Sequence, residues 1–429
     1  MKVVIMAGGH GTRIAAVSTE VPKPMISIEG MPILEHQLSL LKEQGYTDII
    51  MAVGYQAEKI KVYFGDGSKV SPVTGKPFGV FIQYIEEQEP LGTAGALYEI
   101  RGKVQEDFLL LNGDIIFDVD IGRFAEYHKE HAGLATIFTH PNSHPYDSGI
   151  IIADNEKCVT GWLHKEEPRQ WYKNRVNAGL HMLSPDILEL PVFRKLHKVD
   201  LDRDVLKPLI ANRGLVVYDS PEYVKDMGTP ERYYEVAEDI REGRVKTKNL
   251  SRTQKAVFLD RDGTLNKYVG FLKDIDELEL LTGAAEAIRR INHSGYLAIV
   301  VTNQPVVARG EVTLEELERI HQKLETLLGA EGAYLDAIYY CPHHPDKGFE
   351  GEVSYLKTEC NCRKPKPGML LQAAKEYHID LAESWMIGDS PNDMLAGEQA
   401  GCRTILLSDG KGHLGEYGSL LEAIREIIE

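Results

Sequence analysis

The sequence predicts an α/β protein made of two successive units, each with a mostly parallel sheet covered by helices. Three observations predict this. Short apolar runs alternate with amphipathic stretches through both halves of the chain. Several of the runs are apolar at consecutive positions, the pattern of strands buried on both faces. After a polar segment, RVKTKNLSRTQ, the alternation starts again at KAVFLDRDGTLN.

The elements follow in order. KVVIM, TDIIMAV, VFIQYI, FLLLNGD and ATIFTH read as strands of the first half, and PILEHQLSLLKEQG as a helix ending at Gly45. The helix TPERYYEVAEDIREG leads into the polar segment, so residues 1–242 form one domain, 243–254 a linker and 255–429 a second domain. The second half continues through AIRRINHSGY, LAIVVTNQ, LEELERIHQKLETLLG, AIYYCP, MLLQAAKEYH, WMIGDSPND and TILLSDG.

Composition narrows the class. A chain of 429 residues is long enough for two or three domains that each bury a core. A net charge of -17 argues against general nucleic-acid binding and against an anionic membrane surface. Phosphates must then be held by local Lys, Arg, backbone N–H groups and metal ions. No run of ~18 apolar residues suggests a transmembrane span, and MKVVIMAGGHGTR is too short in its apolar part for a signal peptide. An odd number of cysteines, 5, does not suggest a disulfide framework, and the expected compartment is the cytoplasm.

Three of those cysteines lie in CPHHPDKGFEGEVSYLKTECNCRKPKPGM, with Cys341-x-His343 followed by Cys360-x-Cys362. Three thiolates and one imidazole make a closed tetrahedral set suited to structural Zn²⁺. His344 is an alternative fourth ligand. The polar loop between the pairs could build no core alone, and bound zinc can take the place of one. Such a loop would rim an active site.

The adjoining chemistry is acidic. Phe258-Leu259 runs into Asp260-Arg261-Asp262-Gly263-Thr264, and residues i and i+2 of a strand point the same way. At the carboxyl end of a parallel strand both carboxylates would face the ligand crevice. One can act as nucleophile and the other can shuttle a proton, with Mg²⁺ offsetting their repulsion from a phosphate. Thr302 and Asn303 end the next strand, Lys364 follows the last zinc ligand, and Asp389 and Asp393 follow WMIG. This set resembles the haloacid dehalogenase superfamily. The resemblance implies a Rossmann-like domain in which Asp260 takes up the phosphoryl group and Asp262 serves as acid and base. Thr302 and Lys364 would bind phosphate, while Asp260, Asp389 and the backbone carbonyl of Asp262 would hold Mg²⁺. Asp393 would cap a helix or join the Asp389 network. The zinc loop is similar to that of the branch containing heptose 1,7-bisphosphate and histidinol phosphatases, and ARGEVTLEEL resembles the heptose enzymes. Arg309 and Arg363 would contact the far phosphate or lie on the solvated surface. Pro305-Val306-Val307 departs from the usual Ser-Gly-Ile.

In the first half, Ala7-Gly8-Gly9-His10-Gly11-Thr12-Arg13 follows a strand, so glycine backbone and Arg13 could approach phosphates. Pro22-Lys23-Pro24 is a stiff carrier for a lysine, Asp114 ends FLLLNGD, and Asp226 precedes a helix. With LGTAGAL, NAG and DMGTP in the same order, residues 1–240 resemble the sugar-1-phosphate nucleotidyltransferases, themselves Rossmann-like with a mixed, mostly parallel sheet. The resemblance implies that Arg13 and Lys23 stabilise the triphosphate and that Asp114 and Asp226 bind Mg²⁺. Gly8, Gly9, Gly11, Thr12, Gly92, Thr93 and Gly95 would contact the nucleotide. Gly149, Lys165, Asn177 and Gly179 would bind the sugar phosphate, although Lys165 also reads as a surface lysine. Joined, the two resemblances imply heptose 1,7-bisphosphate cleaved to heptose 1-phosphate and then coupled to an NTP, GTP in the α-anomer pathway, toward GDP-D-glycero-α-D-manno-heptose. The alternative is a mannose- or glucose-1-phosphate nucleotidyltransferase fused to a histidinol-phosphatase-like or other phosphatase. The oligomeric state, including a homo-oligomer, is left open.

Overall fold

The computed structural model describes residues 1–9, 14, 20–131, 133–408, 415 and 417–428. Gly11, Thr12 and Arg13 lie outside the described residues. The chain forms two compact units that do not follow chain order. One comprises Met1–Thr139, Ile151–Trp162 and Asn177–Lys246, and the other His140–Ile150, Leu163–Val176 and Thr247–Glu429.

In the first unit the strand Val3–Ala7 runs parallel to Asp48–Val53 on one side and to Phe108–Asn112 on the other. Phe81–Glu86 extends the parallel run, while Val176–Leu183 joins Phe108–Asn112 antiparallel, so the sheet is mixed and mostly parallel. The apolar runs bury both faces, as their composition predicts. Val3, Ile5, Met51 and Leu109 enter one core and Val4, Ile50 and Leu110 the other. The predicted helix spans Ile33–Glu43, and Gly45 closes it at φ +83. Asp114 and the Gly8-Gly9 turn both follow the carboxyl ends of neighbouring parallel strands.

The second unit holds five parallel strands, in the spatial order Ala337–Cys341, Tyr296–Asn303, Lys255–Leu259, Trp385–Gly388 and Arg403–Leu406. Val257 and Leu259 pack on one face, Ala256 and Phe258 on the other. The helix Leu314–Ala330 starts at Thr313 with a capping box to Glu316. Asp260, Thr302, Cys341 and Asp389 all fall at the same, carboxyl-terminal edge of this sheet.

Sequence reading does not reveal that residues 140–150 and 163–176 cluster with this unit. Arg175 is 5% exposed and donates to Glu325 Oε1 at 3.2 Å and to the Asp336 carbonyl at 3.0 Å. The Tyr172 N–H donates to Thr326 Oγ1 at 3.0 Å, and Lys323 Nζ lies 5.3 Å from the Trp171 ring. Part of the polar segment after Arg244 is also built in. Lys248 is buried with its ammonium 3.2 Å from Asp336 Oδ1, and Asp336 Oδ2 accepts from the Ala298 N–H at 2.7 Å. Each buried charge thus has a partner of opposite sign or a hydrogen bond, the condition for tolerating it inside.

Candidate active sites

In the second unit, Lys364 uses its three donors on three acceptors. Its Nζ lies 2.8 Å from Asp260 Oδ1, 2.6 Å from Asp393 Oδ1 and 2.7 Å from the Val301 carbonyl. The side chain is 2% exposed, so the ammonium is held in one place. Asn303 fixes the Lys364 backbone from both ends of its amide: Nδ2 donates to the Lys364 carbonyl and Oδ1 accepts its N–H, each at 3.0 Å. Burial pushes the Asp260 carboxyl up to about 7, against the opposing pull of Lys364. A positive charge supplied beside it would restore the carboxylate.

Asp262 is gripped from three sides. Arg261, fully buried, places Nη2 at 2.8 Å from Asp262 Oδ2, Asn266 Nδ2 donates to Oδ1 at 2.9 Å, and Gln304 Nε2 donates to Oδ2 at 2.9 Å. Burial alone would raise this carboxyl, but Arg261, Asn266 and Gln304 outweigh it and hold the group below its ordinary range. Gln304 Nε2 also donates to Thr302 Oγ1 at 3.0 Å. Gly263 is required here: its φ is +83, and a Cβ would stand 2.0 Å from Asp389 Oδ2. Asp260, Asp262, Thr302, Gln304, Lys364 and Asp389 line a cleft of about 240 Å³ together with Tyr268, Phe271, Pro305, Val306 and Arg363.

Asp260, Asp389 and Asp393 offer oxygens within 4.8 Å of one another. Hard carboxylate oxygens suit Mg²⁺. The Asp262 side chain is outside this group, as expected if only its carbonyl serves. Asp393 also accepts from Ser390 N–H at 3.1 Å and Ser390 Oγ at 2.7 Å, so it caps the helix Pro391–Ala400 while it pairs with Lys364.

The cysteine cluster closes as its spacing predicts. Cys362 Sγ lies 3.3 Å from Cys341 Sγ, 3.2 Å from Cys360 Sγ and 3.4 Å from His343 Nδ1, and Cys341 Sγ lies 3.5 Å from Cys360 Sγ. A Zn–S bond of ~2.3 Å in a tetrahedron gives edges of about 3.8 Å, so a single ion would fit with small outward shifts. His343 is the imidazole in the set; His344 Nδ1 instead accepts from the Asp346 N–H at 3.2 Å. Cys362→Ser is expected to abolish the binding of one zinc per chain. It should also lower the unfolding midpoint of the second unit by about 6–12 °C, equivalent to about 3 kcal/mol. Metal analysis and a thermal scan of the purified variant check this, and full zinc retention would refute the ligand set.

In the first unit, Lys23 is 9% exposed and pairs with Asp114 through Oδ2. The strand Tyr223–Asp226 runs antiparallel to Ile115–Asp118 and sets Asp226 opposite Ile115, and the Met227 N–H donates to the Asp114 carbonyl at 3.0 Å. Asp114 and Asp226 therefore come together from positions far apart in sequence. Arg232 grips Asp226 at 3.0 Å and 2.8 Å. Burial would raise the Asp226 carboxyl, but Arg232 and Lys23 more than offset this and lower it. Two carboxylates beside a lysine suit Mg²⁺ with a triphosphate.

Gly92, Thr93 and Gly95 pack on the segment around Val199. A Cβ on Gly92 would meet the Val199 carbonyl at 2.4 Å, and Thr93 Oγ1 accepts from the Leu201 N–H at 2.7 Å. Asn177 Oδ1 accepts from the Gly179 N–H at 3.0 Å, and Asn177 Nδ2 donates to Asp202 Oδ1 at 3.3 Å. Burial raises Asp202 to about 6, with Asp200 adding to it. Gly149 and exposed Lys165 lie in the segments that cluster with the second unit. Arg232, Asp202, Arg261 and Gln304 escaped the sequence reading. An arginine between two strand-end aspartates was the one local signal, since it points to the interior side where only a salt bridge tolerates it.

Each unit thus sets carboxylates beside a buried lysine at the carboxyl-terminal edge of its parallel strands, chemistry suited to handling phosphoryl groups with a divalent cation. Residues 2–243 match the nucleotidyl transferase family model, and residues 361–425 match the HAD-hydrolase-like model. A D-glycero-beta-D-manno-heptose-1,7-bisphosphate 7-phosphatase of Pasteurella multocida is 45% identical over 159 residues, 37% of this chain and 84% of that protein. The Escherichia coli K12 protein of the same name is 41% identical over 163 residues, 38% of this chain and 83% of that protein. The solved structure of HddC from Yersinia pseudotuberculosis complexed with GMP-PN is 29% identical, covers 56% of this chain and 99% of its own, and superposes with a TM-score of 0.45. The chain belongs to the nucleotidyl transferase family through its first half and to the family of these heptose-bisphosphate phosphatases through its second. It is a bifunctional enzyme, a nucleotidyltransferase joined to a HAD-type phosphatase. Among the described residues no helix is long and apolar enough to cross a membrane.

Proposed function

We propose that the chain carries two consecutive steps of nucleotide-activated heptose synthesis. Residues 255–429 remove the 7-phosphate of heptose 1,7-bisphosphate, and residues 1–242 couple the resulting heptose 1-phosphate to GTP, releasing pyrophosphate and GDP-D-glycero-α-D-manno-heptose. One observation carries the reading: a phosphatase half 45% identical to a heptose-bisphosphate 7-phosphatase shares its chain with a nucleotidyl transferase half. The product expected of one is the class of substrate the other consumes. The guanine base follows from the α-anomer pathway. The names of the phosphatase relatives specify the β anomer, and this is the second reading, with the NTP then to be found.

In the phosphatase, an Asp260 oxygen attacks phosphorus and forms an aspartyl phosphate, and water then cleaves it. Asp262, oriented by Arg261, Asn266 and Gln304, moves the proton to the leaving oxygen and later takes one from water. Lys364 and Thr302 hold the phosphoryl oxygens; Asn303 places Lys364. Asp260, Asp389 and the Asp262 carbonyl would hold Mg²⁺, which supplies charge neutralisation, and the Cys341, His343, Cys360 and Cys362 set would hold a structural Zn²⁺. Arg309 and Arg363 face the far phosphate. In the nucleotidyltransferase, Lys23 and Arg13 stabilise the triphosphate, Asp114 and Asp226 would hold Mg²⁺, and the glycines at 8, 9, 11, 92 and 95, with Thr12 and Thr93, shape the nucleotide pocket. Asn177 and Gly179 bind the sugar phosphate. The reaction is an in-line displacement, driven by positioning and charge. The compartment that fits these substrates is the cytoplasm, with neither nucleic acid nor membrane as partner.

The test is a coupled assay of the full chain with each anomer of heptose 1,7-bisphosphate, Mg²⁺ and each of four NTPs. Phosphate release from the α anomer, followed by pyrophosphate release with GTP alone, is the expected result. The same sequence from the β anomer would move the enzyme to the second reading. Phosphate release without pyrophosphate from any NTP would return the first half to hexose 1-phosphates.

A further inference from the structure

The first unit carries a carboxylate beside its glycine turn that the reaction described so far does not use. Glu87 follows the strand Phe81–Glu86, and its N–H donates to the Val53 carbonyl at 2.8 Å. In the sheet, Phe108–Asn112, Val3–Ala7, Asp48–Val53 and Phe81–Glu86 are successive neighbours. Asp114, Gly8, Gly54 and Glu87 therefore follow one another along the carboxyl edge. From the far end of this row the Glu87 side chain reaches back over Gly54 to the Gly8-Gly9 turn. A Cβ on Gly8 would stand 2.8 Å from Glu87 Oε2, and one on Gly54 3.4 Å from the same oxygen. A Cβ on Gly9 would meet nothing within 4 Å. The turn thus presents bare backbone, on which a flat ring can lie, with a carboxylate at its margin.

Glu87 also meets the second glycine turn. The Leu91 N–H hydrogen-bonds to it, and the Leu91 carbonyl accepts from the Val199 N–H at 2.9 Å. Burial raises the Glu87 carboxyl, and the Leu91 N–H opposes the rise. Among the described residues no cation stands beside it. A half-buried carboxylate without a cation is completed by N–H donors, best by two side by side. Of the four bases, guanine alone offers two adjacent donors on its pairing edge, N1–H and the 2-amino group. Adenine and cytosine set one amino donor beside a ring nitrogen whose lone pair would face the carboxylate. Uracil holds its single N–H between two carbonyls.

We propose that Glu87 reads the base of the nucleotide: its carboxylate accepts N1–H and the 2-amino group of guanine and so selects GTP. This rests on the reading that residues 1–242 bind a nucleoside triphosphate. It gives guanine a ground that does not depend on the heptose anomer.

The experiment compares wild type and Glu87→Gln in the full chain, by pyrophosphate release from heptose 1-phosphate with GTP, ATP and three analogues. Inosine triphosphate lacks the 2-amino group, xanthosine triphosphate carries a carbonyl in its place, and 2′-deoxy-GTP lacks a ribose hydroxyl. Wild type is expected to prefer GTP to inosine triphosphate by about 10- to 100-fold in kcat/KM, the scale of one charge-assisted hydrogen bond. Glutamine keeps an acceptor for N1–H and turns a donor toward position 2. Glu87→Gln should therefore bring that ratio close to one and prefer xanthosine triphosphate to GTP. A wild type that uses GTP and inosine triphosphate equally, or a variant with unchanged ratios, would overturn the proposal. So would a loss that follows GTP against 2′-deoxy-GTP, which would put the carboxylate on the ribose. Preference of the wild type for ATP would overturn it together with the guanine reading. No pyrophosphate from any triphosphate would instead remove the nucleotidyltransferase reading, and the base contact with it.

Discussion

Asp260→Asn is expected to lower kcat for phosphate release by about 10⁴- to 10⁶-fold, the scale of loss when a covalent nucleophile is removed. The carboxamide has nearly the same shape but no anionic oxygen to attack phosphorus. The fold should tolerate the change. Lys364 keeps Asp393 Oδ1 at 2.6 Å and the Val301 carbonyl at 2.7 Å, and the Asn carbonyl can still accept from it. The measurement is single-turnover phosphate release beside a thermal scan. A variant that folds and releases phosphate at the wild-type rate would eliminate Asp260 as nucleophile. Pyrophosphate release from added sugar 1-phosphate and NTP, measured on the same sample, reports whether the loss is confined to one activity.

Lys23→Met is expected to cost the nucleotidyltransferase about 10²- to 10³-fold in kcat, the effect of losing one preorganised charge at a reacting phosphate. Lys23 is buried and paired with Asp114, and Asp226 feels its charge as well as that of Arg232. Methionine keeps the stem and removes the ammonium, so Asp114 loses its cation beside a second carboxylate. Two outcomes should appear together: slower pyrophosphate release and a lower Mg²⁺ concentration at half-maximal rate, since Asp114 no longer shares its charge with an ammonium that repels the ion. Unaltered pyrophosphate release would refute the assignment of Lys23. A fall in KM-dependent rate alone, with kcat intact, would make it a binding residue only.

Much of each site could be read from short spans. Asp260 and Asp262 sit two apart at the end of an apolar strand, and the structure puts them at the sheet edge because a strand's end and its side-chain alternation are local properties. The zinc set was legible for the same reason: each ligand pair occupies a three-residue span, and only the closing of the loop remained to be found. The sequence reading preferred His343 to His344, and His343 is the imidazole that the backbone aims at the thiols. Asp393 could be read as a cap but not as a partner of Lys364, because that contact requires two loops to meet above the sheet.

Gln304 was missed as a partner of Asp262 because that contact joins the ends of two different strands, and residue type gives no hint of it. Arg232 was missed because its partner, Asp226, was read as a metal ligand alone. Most distant from any local rule is the assignment of residues 140–150 and 163–176 to the second unit. The pair Arg175 and Glu325 is separated by 150 positions, and nothing in either neighbourhood announces the other.

The amino-acid sequence by itself determined the α/β class, the strand ends, and the candidate reacting and metal-binding groups. Hydrophobic period, turn residues and ligand spacing act within a few residues, so they are written in the chain. Only the tertiary structure decided how Lys364 shares its charge between Asp260 and Asp393 and how Asp114 meets Asp226. Those arrangements depend on which buried charges find partners across the fold, and the cost of burying a charge alone is settled by the whole packed interior.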